Sequence, residues 1–114
     1  MTSEFIKNYQ FGSISLENET FYEDIILLGK SVIPNWWREK GHHISKEDLK
    51  YVLDYAPELL IIGTGNSGLM NVPLELTKNL NFEIISLPTQ EAIQLYNQEI
   101  KGNRKIAGAF HLTC

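Results

Sequence analysis

Leu59-Leu60-Ile61-Ile62 is the segment that most limits what this chain can become. Four aliphatic residues in succession, bounded by Pro57 and Gly63, leave no polar face to turn toward water, so a strand built from them must be covered on both sides. A strand of that kind lies inside an open sheet with helices packed over it, which places the chain in the α/β class. The run is far too short to span a bilayer, and so is Ile25 to Leu28. Met1 to Lys7 lacks a basic stretch leading into a long apolar one, so a cytoplasmic protein with no membrane span is expected.

The flanking segments supply both kinds of element. Val72, Leu76 and Leu80 share one stripe, Pro73 suits a first helical turn, and Asn81 can take the left-handed conformation that ends a helix of about two turns. Phe82 to Leu87 reads as the next strand. Thr89 is then placed to cap a helix whose buried face is Ala92, Ile93, Tyr96 and Ile100, with Lys101-Gly102 at its close. Arg104 to Thr113 alternates as a last strand, with Ile106, Gly108, Phe110 and Leu112 on one side and Ala107, Ala109, His111 and Thr113 on the other. Upstream, Ser45 with Asp48 three residues on opens a helix carrying Leu49, Val52, Leu53 and Ala56 on one face, until Pro57 stops it. Phe11 to Leu16 and Phe21 to Leu28, joined through Asn18 and Glu19, read as an antiparallel hairpin. Successive crossovers from Leu59 to Lys105 would make the last strand parallel to those before it.

Charge and cysteine usage remove several function classes. Fourteen Asp+Glu against ten Lys+Arg give a net charge of −4, which opposes the broad basic face needed for a phosphate backbone, so no nucleic-acid partner is expected. Cys114 is the one cysteine, which excludes an internal disulfide and with it a disulfide-stapled secreted scaffold.

Three stretches could carry chemistry. Gly63-Thr64-Gly65-Asn66-Ser67-Gly68 fits G-x-G-x-x-G after a strand, with Glu83 placed about as far on as a ribose-binding acid. Leu69 to Val72, however, separate the glycines from the next helix, so its amides cannot meet a pyrophosphate, and Glu83 falls at the wrong end of its strand. A plain tight turn remains, or a cradle for a small anion or polar ligand made by Gly63, Thr64, Gly65, Asn66 and Ser67 with Thr89. His111 and Cys114 have the chemistry of a base and a nucleophile, but three apart on a strand they point to opposite faces, so no catalytic residue is assigned. His42, His43, His111 and Cys114 lack the spacing of a metal site, and neither metal nor cofactor is expected. The third stretch, Trp36 to His43, concentrates the aromatic and arginine anchors that dominate binding hot spots. Trp36, Trp37, Arg38 and His42 are its candidate partner contacts, one ring serving to cover the core and one to meet a partner.

Trp37-Arg38-Glu39, the Gly63-Thr64-Gly65 turn, Val72-Pro73, Thr89-Gln90-Glu91-Ala92 with Tyr96-Asn97, and the terminal Phe110-His111-Leu112-Thr113-Cys114 together resemble a small α/β family of unknown function. That family includes the mitochondrial complex I assembly factor three and the adipogenesis-associated Mth-type domain protein, and the likeness runs from about Tyr9 to Cys114. It implies one domain over residues 1–114, built in three layers around a central mixed, mostly parallel sheet with flanking helices and an N-terminal β-hairpin. It also implies a last strand antiparallel to its neighbours, which would carry His111 away from the glycine loop. No catalytic residue comes with the resemblance. The expected function is a non-catalytic protein-interaction module with a protein partner, an assembly factor in peripheral contact with a membrane or respiratory complex. The alternative is a small-molecule or anion-binding protein or enzyme using the Gly63 to Gly68 loop.

Overall fold

Two sheets organise the chain in the computed structural model, which describes residues 4–38, 43–78 and 80–113. The smaller contains β1 (Asn8–Gln10), β2 (Ser13–Ser15) and β3 (Thr20–Phe21), antiparallel in that order. The larger contains β4 (Ile25–Leu28), β5 (Ser31–Ile33), β6 (Leu59–Thr64), β7 (Glu83–Leu87) and β8 (Ile106–His111), in the spatial order β5-β4-β8-β6-β7. A 3₁₀ turn at Glu47–Leu49 leads into α1 (Lys50–Tyr55), and α2 (Leu74–Lys78) and α3 (Thr89–Glu99) complete the helices.

The expected hairpin forms around Asn18, pairing Ile14 with Phe21, but it ends there. Ile25 to Leu28 leaves for the large sheet because Ile25, Ile26 and Leu27 are all fully buried, and only a sheet covered on both faces can bury consecutive side chains. Every residue of β6 is buried for the same reason, as the aliphatic run requires. β8 lies between β4 and β6 and is likewise buried throughout.

The orientation of β8 corrects the strand direction drawn from resemblance. It is antiparallel to β4 but parallel to β6, with Leu59 opposite Ile106 and Thr64 opposite His111. β7 flanks β6 on one side and β8 on the other, so the two crossovers run in opposite directions, and right-handed connections then put their helices on opposite faces. The core accordingly divides in two. Ala92, Ile93 and Tyr96 of α3 pack with Ile14 and Phe21 of the small sheet over Ile25, Leu27, Ile61 and Phe110. On the other face Leu49, Val52, Leu76 and Trp36 cover Ile26, Leu60, Ile62, Ala107 and Ala109.

Small residues set the closeness of that packing. A Cβ on Gly108 would lie 2.5 Å from Phe110 Cε2 and 2.9 Å from Tyr96 Cε1, so only glycine lets α3 settle on β8. Asn97, also buried, accepts a hydrogen bond from the Ile6 amide at 2.8 Å and donates one to its carbonyl at 3.0 Å. That pair ties the segment before β1 to the last turn of α3, supplying main-chain partners where no strand is present.

Candidate functional site

β6, β7 and β8 are parallel, and their carboxyl ends open where connections leave toward opposite faces, the place where open α/β sheets bind ligands. Here the fold fills that crevice with its own groups. Thr89 does not cap α3 as its sequence position suggests; Pro88 holds the cap position and Thr89 is the first helical residue. Its hydroxyl donates to the His111 carbonyl at 2.6 Å and accepts from the Gly65 amide at 2.9 Å. The side chain is drawn inward because both main-chain groups are buried and need partners.

The glycine loop closes on itself around this bridge. The Asn66 amide donates to the Thr113 carbonyl, Gly68 to Gly65, and Met70 to Thr64. A Cβ on Gly63 would lie 2.9 Å from Thr89 Oγ1, so the start of α3 packs directly on the loop. Gly63, Thr64, Gly65 and Thr89 are brought together and buried, while Asn66 and Ser67 remain exposed at the tip. Glu83 stands at the opposite, amino end of β7, ion-paired with Arg104 at 2.8 Å. We expect Thr89→Val, which leaves the Gly65 amide and the His111 carbonyl without their partner, to lower stability by about 2 kcal/mol in urea unfolding. A loss below about 0.5 kcal/mol would mean that the bridge is replaced by water.

One step past the paired Ile25 and Phe110, Asp24 and His111 stand opposite each other. Asp24 Oδ2 lies 2.7 Å from His111 Nδ1 and 2.7 Å from Arg38 Nη2, while Oδ1 accepts the Leu112 amide at 2.8 Å. His111 Nδ1 also lies 3.0 Å from Arg38 Nη2, so the three side chains meet at one point. Burial alone would push the Asp24 carboxyl up, but the hydrogen bonds from His111, the Leu112 amide and Arg38 outweigh it and hold the carboxyl below its ordinary range. The same burial and the nearby Asp24 push up the Tyr9 phenol, whose hydroxyl donates to the Leu112 carbonyl. Three segments remote in sequence are thereby locked at one sheet end. The parallel pairing of β6 and β8 keeps His111 beside the glycine loop, contrary to the antiparallel expectation. Asp24 is the residue that sequence reasoning missed.

That lock also sets the tryptophan segment. Arg38 stacks over the Trp36 ring at 4.5 Å, and the Trp36 indole N–H donates to the Asp48 carbonyl at 2.8 Å. Both residues are 8% exposed: Trp36 covers the core and Arg38 neutralises Asp24. Trp37, between them, is 77% exposed. It lines a groove of about 550 Å³ with Pro34, Trp36, Glu47, Lys50 and Tyr51. His42 and Cys114 lie outside the described residues.

A family model described as "Protein of unknown function (DUF498/DUF598)" matches residues 6–111. Among solved structures, MT938 is 30% identical with a TM-score of 0.79, over 98% of this chain and 100% of that one. A conserved hypothetical protein from Pyrococcus horikoshii is 25% identical with a TM-score of 0.81, over 96% and 98%. A Mth938-like domain from Bordetella pertussis, 16% identical over 96% and 85% with a TM-score of 0.69, shares the fold.

Proposed function

The chain belongs to the DUF498/DUF598 family of proteins of unknown function, and from that premise we propose that it is a non-catalytic protein-interaction module. Trp37 carries the reading. Its neighbours on both sides are anchored, Trp36 through Asp48 and Arg38 through Asp24, while the Trp37 ring itself is exposed. An exposed aromatic on an anchored stretch of main chain gains the removal of its surface from water on binding, as hot-spot residues do. Resemblance to the complex I assembly factor supports an assembly role in peripheral contact with a membrane complex. Among the described residues no helix is long and apolar enough to cross a membrane. The reading places the protein in the cytoplasm, with a protein as its partner and no nucleic acid.

The test is affinity capture with wild-type and Trp37→Ala protein side by side, read by mass spectrometry. Trp37→Ala is expected to leave stability within about 0.5 kcal/mol of wild type, because the ring is exposed. It should weaken the partner by about 2 kcal/mol or more, roughly thirtyfold in Kd. Capture of the same partners by both proteins would overturn the proposal.

A further inference from the structure

Resting on that interaction reading, we infer that the groove at Trp37 takes a polyproline II segment carrying a basic residue. The groove lies beside the edge strand β5, so a partner strand is the first occupant to weigh. The Gly29 amide bonds to the Ile106 carbonyl, which fixes the alternation across β4. Ile26 and Leu28 then face their main-chain groups to Ile33 and Ser31, and in β5 only Val32 turns both its N–H and its carbonyl outward. Pro34 has no N–H to extend the ladder, and Lys30 flanks the strand on its other side. One outward residue does not support strand addition, so the occupant is recognised through side chains.

Those side chains have the character that a proline-rich segment needs. The exposed rings of Trp37 and Tyr51, the latter 46% exposed, line the groove together with Pro34 and the largely buried Trp36. A polyproline II chain has no internal hydrogen bonds, and its prolines lack N–H groups, so its main chain offers carbonyl acceptors. The groove answers with donors: the Trp37 indole, the Tyr51 phenol and the Lys50 ammonium, which sits 5.3 Å from the Tyr51 ring centre. Asp48 is taken up by Ser45, at 2.8 Å from its amide and 3.0 Å from its hydroxyl, whereas Glu47 stands exposed at the rim, within reach of a basic residue on a ligand. The Trp36 to Asp48 hydrogen bond joins the two walls, so ligand and groove both meet pre-ordered.

The experiment titrates the isotope-labelled full chain with capped decaproline and with decaproline bearing one arginine at either end. Saturable shifts confined to 33–38 and 45–51 are expected, with an arginine peptide favoured by about threefold and that preference abolished by Glu47→Lys. Trp37→Ala and Tyr51→Ala should each weaken binding by about tenfold while the spectrum stays dispersed. An absence of saturable shifts at millimolar peptide would overturn the inference, as would equal binding of a capped helical polyalanine. Self-association abolished by Trp37→Ala would also overturn it, by assigning the groove to a second copy. If capture from lysate depends on Trp37 yet no proline-rich probe binds, this inference fails while the interaction reading stands. Loss of both results removes both.

Discussion

Asp24→Ala should lower the free energy of unfolding by about 3–5 kcal/mol at neutral pH, the cost of removing one member of a buried ion pair. The Arg38 side chain, 4% exposed, loses the carboxylate that lies 2.7 Å from it. The His111 imidazole loses its Asp24 contact and the Leu112 amide its acceptor in the same step. Against a total stability of roughly 5–15 kcal/mol for such a domain, this is a large fraction, and urea unfolding followed by circular dichroism would measure it. A change below about 1 kcal/mol would show that the cluster does not hold the sheet end together. The pH dependence has a definite sign. Because the folded state holds the Asp24 carboxyl below its unfolded value, its contribution is fully present above that unfolded value, near pH 4, and is lost as pH falls through the folded one. The stability gap between wild type and Asp24→Asn should therefore be constant from pH 7 to about pH 5 and narrow in stronger acid.

Phe110→Ala should cost a comparable amount, about 3–5 kcal/mol, by opening a cavity between β8 and α3. The ring is fully buried and meets Tyr96 edge-on, with centroids 5.6 Å apart and planes at 81°. Tyr96 itself is fixed by its hydroxyl, which donates to the Gly29 carbonyl at 2.6 Å, so it cannot swing to fill the space. The ring also explains why position 108 is glycine, and that gives a sharper check. Gly108→Ala in the wild-type chain should cost about 1–3 kcal/mol from overpacking, but less in the Phe110→Ala background, where the nearest obstruction is gone. Additive costs in the double-mutant cycle would mean that the Phe110 ring does not fill the space beside Gly108.

Much of this fold was legible before any coordinates. The aliphatic run at Leu59 to Ile62 demanded a strand buried on two faces, and β6 is buried throughout. The apolar periodicity from Ala92 to Ile100 marked α3, and alternation after Arg104 assigned each side of β8 to its face. Thr89 shows where local chemistry misleads: a threonine before a helix suits a cap, but two buried main-chain groups from other strands compete for the same hydroxyl and win. Trp36 and Trp37 were a pair without a distinction between them until Asp24 and Asp48 took hold of their neighbourhood.

By itself the sequence determined the strands β6 and β8 and the helix α3, with the apolar faces of the last two, because those properties repeat at the period of the local backbone, whereas β1 and β5 were not read from it. The crossover pattern after Leu59 already gave β8 its parallel run beside β6. Only the tertiary structure decided the burial of Arg38 and the outward turn of Trp37, which go with Asp24, Arg38 and His111 meeting across separations of 14, 73 and 87 residues. A charge pair of that range leaves no periodic trace along the chain; it becomes visible once the strand order and register place its members at the same sheet end.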